Sequence, residues 1–329
     1  MPQPPSDAAL LELAAQTARN LRQAIGHIVV GQQQVVDELL ITLVARGHAL
    51  LVGVPGLAKT LLVASLAKAL RLSFGRVQFT PDLLPADITD TDVLQERGGE
   101  RSLSFLPGPI FHNLVLGDEI NRTPPKTQAA LLQAMQERQV TVGNTTHPLP
   151  DPFQVFATRN PIELEGTYPL PEAQRDRFLL EIHVDYPSES EEREVALHPS
   201  SPEAVNIAPV VERNELGAIT ELVPRIPITA EAVALAVALA RATRPTSPNA
   251  PPEVRDYVRY GAGPRGSQAL VLCAKARAAL RGEAAADVDD VRALVQATLR
   301  HRLVLSYRAD ADGVGELELL DKVARAVKG

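Results

Sequence analysis

A single cysteine, Cys273, occurs in the 329 residues, so no internal disulfide can form and no metal cluster can be built from thiolates. A reducing compartment fits that usage. Cys273 falls in a helical pattern, Leu270 to Leu280, and reads as a small buried residue. Tryptophan is absent and aromatics make up 4% of the chain, which leaves few stacking surfaces for single-stranded nucleic acid. There is no basic block, and the net charge is −7. That balance disfavours nonspecific binding to a phosphate backbone. No apolar run approaches the length that spans a bilayer; the longest candidate, Ala232 to Ala240, has the length of a core helix. The N-terminus, Met1 to Ser6, is proline-rich and lacks the charged and apolar regions of a signal peptide. A cytoplasmic protein without direct membrane insertion is expected. What remains is ordinary: 45% apolar and 22% charged residues, with length for one large domain or two smaller ones.

One stretch is not ordinary. Gly53-Val54-Pro55-Gly56-Leu57-Ala58-Lys59-Thr60 follows the apolar run Ala49 to Val52 and precedes a helical pattern, Leu61 to Leu70. Strand, glycine-rich loop and helix in that order wrap backbone N–H groups around phosphates and aim a helix N-terminus at them. Lys59 would reach the β- and γ-phosphates as a point charge, and Thr60 would offer its hydroxyl to Mg²⁺. Gly53 to Leu61 are therefore candidate nucleotide-binding residues. The sixth loop position is Ala58 instead of glycine. Its methyl group is tolerable if Ala58 already has right-handed helical dihedrals.

Ahead of the loop, Asp7 to about Ala24 and Val35 to Arg46 read as helices, with Asp7 as a plausible N-cap. The turn between them, Ile28 to Gln32, can set Val29, Val30 and Gly31 against an adenine ring or serve ordinary packing. Gly75 to Thr80 is a second strand candidate. Asp92 to Gln95 and Ser102 to Phe105 flank Gly98-Gly99 as an inserted hairpin. Leu114 to Glu119 is a buried strand ending in two carboxylates. Thr123 caps a helix with Pro124 at its first position. A second hairpin turns at Gly143-Asn144-Thr145, and Phe153 to Thr158 and Phe178 to Val184 are further strands. From Ser188 onward periodic helices dominate, including Ser267 to Arg281 and Val288 to Leu305. The expected fold is α/β: a parallel sheet between helices with two inserted hairpins, residues 1–187, then a helical connection, 188–227, and a small all-helical lid, 228–329.

Asp118-Glu119 at a strand end complements the loop. In a parallel sheet that strand is expected beside the loop strand, with both C-terminal ends on one edge. Asp118 can then hold Mg²⁺ together with Thr60, and Glu119 can orient or deprotonate the attacking water. Asn160, at the end of the next strand, can hold the same water. Phosphoryl transfer also needs positive charge on the departing phosphate. Arg177, at a helix-to-strand junction, could project into a neighbouring subunit. Arg265, in a loop before a helix, could reach back across the cleft.

These motifs resemble the MoxR family of AAA+ ATPases. The likeness rests on the loop octamer, Asp118-Glu119-Ile120-Asn121-Arg122, Ala157-Thr158-Arg159-Asn160-Pro161, Gly166 to Phe178, and Gly261 to Gly266. The resemblance implies Walker A at Lys59 and Thr60, Walker B at Asp118 and Glu119, and sensor 1 at Asn160. It implies Arg177 as an arginine finger acting in trans and Arg265 as sensor 2. Gly117 stands where the family more often has alanine, and Arg175 where it has an apolar residue, so Arg175 is a second candidate for the finger. The resemblance also implies a ring, a hexamer, that uses ATP and Mg²⁺ to remodel protein clients carrying von Willebrand factor A domains.

The two hairpins face the pore in related AAA+ proteins. Here the first tip, Glu96 to Arg101, carries two acids and two bases, and the second, Gly143 to His147, has no Lys or Arg. A tip that grips DNA should be basic, so a protein client is expected and nucleic acid is not. A nucleic-acid-stimulated translocase and a nucleotide-gated scaffold with little turnover are the alternatives.

Overall fold

The computed structural model describes residues 5–97, 100–143, 145–163, 166–197 and 207–327, with the side chains of 90–97 and 100–104 left aside. The tip of the first expected hairpin, Gly98-Gly99, lies outside the described residues. Its two strands, β3 (Asp90–Arg97) and β4 (Glu100–Pro107), pair antiparallel as the sequence predicts.

The sheet is built from β1 (Ala49–Val52), β2 (Phe74–Gln78), β5 (Leu114–Asp118), β8 (Gln154–Arg159) and β9 (Leu180–His183). All neighbours are parallel, in the order β2-β5-β8-β1-β9. Such strands are covered on both faces, which is why β1 and β5 read as continuous apolar runs. Their alternate residues feed two cores. Leu51, Leu116 and Phe156 point into one, and Leu50, Val115 and Val155 into the other. The second hairpin is β6 (Gln139–Val142) with β7 (Thr145–Pro148).

This order corrects one expectation. β5 does not lie beside β1; β8 runs between them, pairing Gly117 with Ala157 on one side and Leu51 with Thr158 on the other. Asp118 is thus one strand further from the loop than the sequence suggests. The strand that leads into Asn160 becomes the middle of the site. Local boundaries also shift. Ser6, not Asp7, caps the first helix, and the helix Pro125–Glu137 begins after Pro124 instead of at it.

The C-terminal half is helical, as the sequence predicts, with strands of only two or three residues. The first core continues into it through Leu235, Leu239, Leu270 and Cys273. The expected single helix from Val288 to Leu305 is broken at Leu294 and again at Arg300–Arg302, a 3₁₀ turn. The reason is the use made of that turn. Arg302 donates to the carbonyl of Phe178 at 2.8 Å and to Asp176 at 2.9 Å, and His301 Nε2 lies 3.0 Å from the same Phe178 carbonyl. A regular helix could not aim both side chains at the backbone leading into β9.

Two buried imidazoles fasten this framework. His48, just before β1, accepts from the Val155 N–H at 2.9 Å, and its Nε2 lies 3.2 Å from the Met135 carbonyl. Both contacts suit a neutral ring with its proton on Nε2. Burial lowers the pKa of His48 from 6.5 to about 4, and burial with the Arg302 charge lowers that of His301 to about 3. The unfolded chain takes up these protons below about pH 6.5 while the folded chain refuses them. Stability is therefore full above that pH and is lost as pH falls, by up to about 1.4 kcal/mol per pH unit for each ring. Urea unfolding at pH 7 and pH 5 should show a drop of at least about 2 kcal/mol. Equal stability at the two values would mean that the rings are not held neutral.

Candidate active site

The loop after β1 turns on two glycines that resist replacement for different reasons. A Cβ on Gly53 would sit 2.6 Å from the Val184 carbonyl, and Gly56 has φ +88°. Ala58 overturns the expectation stated for it: its φ and ψ are +56° and +21°, the left-handed region, where an alanine costs roughly 1–2 kcal/mol. The helix Lys59–Ala69 starts directly after it. Lys59 folds back under the loop, donating to the Gly53 and Val54 carbonyls at 2.8 and 2.7 Å. Burial lowers its pKa, while Asp118 and Glu119 work against that shift.

Above the loop is a cavity of about 490 Å³, a size that suits a small-molecule ligand. Pro55 to Leu61 line it together with Asp118, Glu119, Thr158 and Asn160. The structure thus brings the loop, the two carboxylates and the asparagine around one space. Asp118 is 8% exposed. Its Oδ1 accepts from the Thr158 hydroxyl at 2.7 Å, and its Oδ2 lies 3.4 Å from the Thr60 hydroxyl. Two hard oxygen donors side by side suit a small divalent cation, so the residues present fit Mg²⁺. Glu119 has φ +57°, and its N–H donates to Thr158 Oγ1 at 2.8 Å. Its carboxylate accepts from Gln78 Nε2 at 2.9 Å and pairs with Arg122 at 3.1 Å. Non-glycine left-handed backbone costs energy and persists where surrounding contacts enforce it.

Sequence reasoning missed three of these partners. Thr158 bridges both acids, Arg76 donates to Asp118 Oδ2 at 2.6 Å, and Gln78 holds Glu119. An alternating pair of polar residues at the end of β2 is the sequence signal; only the pairing of β2 with β5 shows where they point.

Six predicted residues do not line the cavity: Gly53 and Val54 at the start of the loop, and Val30, Gly31, Arg177 and Arg265 away from it. Val30 and Gly31 are half-buried in a turn, and the Cα of Gly31 backs onto the Glu191 side chain. Val29 is buried in the core. Arg177 donates to the Leu132 carbonyl at 2.7 Å. Arg265 is not in a loop but in the first turn of the helix Pro264–Arg281, 3.7 Å from Asp176. Arg177, Asp176 and Arg265 line a second cleft of about 330 Å³ that shares no residue with the first.

Two family models match this chain. Residues 48–180 match the ATPase family associated with various cellular activities, and residues 252–323 match the AAA lid domain. A crystal structure of a candidate ATPase from Cytophaga hutchinsonii superposes with a TM-score of 0.88 at 37% identity, covering 97% of this chain and 96% of that one. The uncharacterized protein YeaC of Bacillus subtilis is 40% identical over 92% of both chains. Chaperone MoxR1 of Mycobacterium tuberculosis is 40% identical over 98% of this chain and 85% of its own length. This chain belongs to the MoxR family of AAA+ ATPases.

Within this MoxR-family chain the ATPase match spans the loop, both acids, Asn160 and Arg177, and the lid match spans Arg265 and Arg302. No helix among the described residues is long and apolar enough to cross a membrane. The strained loop position gives a direct test. Ala58→Gly relieves the left-handed penalty and loses part of the gain to unfolded-state entropy, for a net stabilisation of about 0.5–1 kcal/mol. Urea unfolding of the nucleotide-free protein measures it. A loss of stability would show that the loop holds Ala58 without strain.

Proposed function

We propose that this chain is a Mg²⁺-dependent ATPase that works as a homo-oligomeric ring, a hexamer, and couples hydrolysis to remodelling or maturation of protein partners. The observation that carries the reading is the separation of the two arginines from the phosphate loop. Loop, acids and asparagine share one cavity, while Arg177 and Arg265 share another. Phosphoryl transfer needs both sets of charge at one place. A second copy of the chain can supply Arg177 to a neighbour's phosphate, and the placement of Arg265 beside it supports delivery of both in trans. Arg265 reaching back to its own cavity loses support on the same ground. Arg175 lies outside the second cleft, which favours Arg177 as the finger.

The roles follow from position. The loop N–H groups and Lys59 bind the phosphates once Lys59 leaves the Gly53 and Val54 carbonyls. Thr60 and Asp118 hold Mg²⁺, which when bound draws charge off the phosphates. Glu119 accepts a proton from the attacking water, and Asn160 orients that water. Gln78 and Arg122 keep the Glu119 carboxylate aimed into the cavity. We read residues 1–187 as the ATPase core, 188–227 as the connection and 228–329 as the lid that moves against it.

The name of the Mycobacterium tuberculosis relative, a chaperone, supports a protein client. The neutral hairpin tips support it as well. Between the hairpins Phe105 of β4 stacks on His147 of β7, with ring centroids 4.1 Å apart and planes 6° apart, so both hairpins can act on a client as one surface. Clients with von Willebrand factor A domains and a cytoplasmic setting belong to the same reading.

Lys59→Ala should abolish nucleotide binding in a calorimetric titration. Glu119→Gln should bind ATP as the unchanged protein does while turnover falls by about 10²-fold or more. Turnover at the original rate in Glu119→Gln removes Glu119 as the base, and client capture by that variant tests the remodelling role.

A further inference from the structure

Arg76 stands where the proposed metal would act. It is the third residue of β2, and register places it across from Leu116 and Gln78 across from Asp118. Strand alternation puts Arg76 and Gln78 on one face. The Arg76 guanidinium donates twice to Asp118 Oδ2, from Nη2 at 2.6 Å and from Nε at 3.2 Å. This is the same oxygen that lies 3.4 Å from the Thr60 hydroxyl. A fixed positive charge thus covers the carboxylate oxygen that faces the second hard donor.

We propose that Arg76 is a tethered competitor of the divalent cation: it occupies Asp118 Oδ2 in the metal-free site and yields it on loading, so that Arg76 sets the metal concentration at which the site fills. This inference rests on the reading of Asp118 and Thr60 as metal ligands. Three observations carry it. First, Asp118 is buried and needs a compensating charge when no metal is present. Lys59 does not supply it by contact, because its amine is committed to two loop carbonyls. Second, a guanidinium and a divalent cation cannot share one oxygen without strong like-charge repulsion. Third, Arg76 can leave at small cost. Its side chain is 49% exposed, and Nη2 also donates to Gln78 Oε1 at 2.6 Å, a partner it can keep outside the site.

The test uses the full-length protein with a fluorescent ADP analogue, titrated with Mg²⁺ from EDTA-buffered zero. Mn²⁺ binding followed by electron paramagnetic resonance serves as a readout independent of nucleotide fluorescence. Arg76→Met keeps the apolar stem and removes the charge. It should lower the metal midpoint by roughly three- to tenfold and lower the melting temperature of the metal-free protein. Arg76→Lys, which keeps a charge without the two-pronged contact, should fall between. An unchanged or raised midpoint in Arg76→Met overturns the inference. Asp118→Asn separates the two levels. If it leaves the midpoint unchanged, the metal-ligand reading fails. If it raises the midpoint while Arg76→Met does not lower it, the competitor role alone fails.

Discussion

A buried carboxylate sets the terms for this molecule. Asp118 ends an apolar strand, and a negative charge at that depth persists only with partners on every side. The structure supplies a hydroxyl from β8, a guanidinium from β2 and a second hydroxyl from the helix after the phosphate loop. Each partner comes from a different element, so the strand order β2-β5-β8-β1-β9 is what makes the cluster possible. With β8 in the middle, Thr158 reaches Asp118 by its hydroxyl and the Glu119 N–H by the same oxygen. That oxygen fixes the angle between the two acids.

The second organising contact lies at the far side of the sheet. Arg302 and His301 satisfy the carbonyls that lead into β9, and Asp176 ties Arg302 and Arg265 together. Burial of Arg302 lowers its pKa, with Asp176 opposing. The residue next to Asp176 is Arg177. A movement of the helical half, which carries Arg265 and Arg302, therefore acts on the backbone that carries Arg177. This is the physical route by which a change at the second cleft can reach the sheet, and it runs through polar contacts in an otherwise apolar core.

Much of this was legible in the sequence because its signals are local. The loop octamer, the acids at a strand end, the two hairpins and the switch to helical periodicity all depend on neighbours within a few residues. What was not legible depends on pairing. Nothing near Asp118 says that β8 separates it from the loop strand. Arg76 sits in a plain strand, and only its register with β5 gives it a carboxylate. Ala58 hides its left-handed backbone because alanine is at home in the helix that follows. The run from Val288 to Leu305 has helical spacing, yet the hydrogen bonds that Arg302 gives the Phe178 and Leu179 carbonyls outweigh propensity where it breaks at Arg300–Arg302. Arg265 reads as a loop residue because the glycines around it hide a helix that starts at Pro264.

A working site shared between two subunits, as proposed above, has a direct experimental consequence. The direct measurement is ATP turnover in mixtures of two inactive variants, Arg177→Ala and Glu119→Gln. A ring containing both joins the intact Glu119 face of one subunit to the intact Arg177 of the next. The account predicts that turnover, absent from each variant alone, returns on mixing and peaks near equal proportions. No recovery at any proportion, in mixtures shown to form mixed rings, would contradict it.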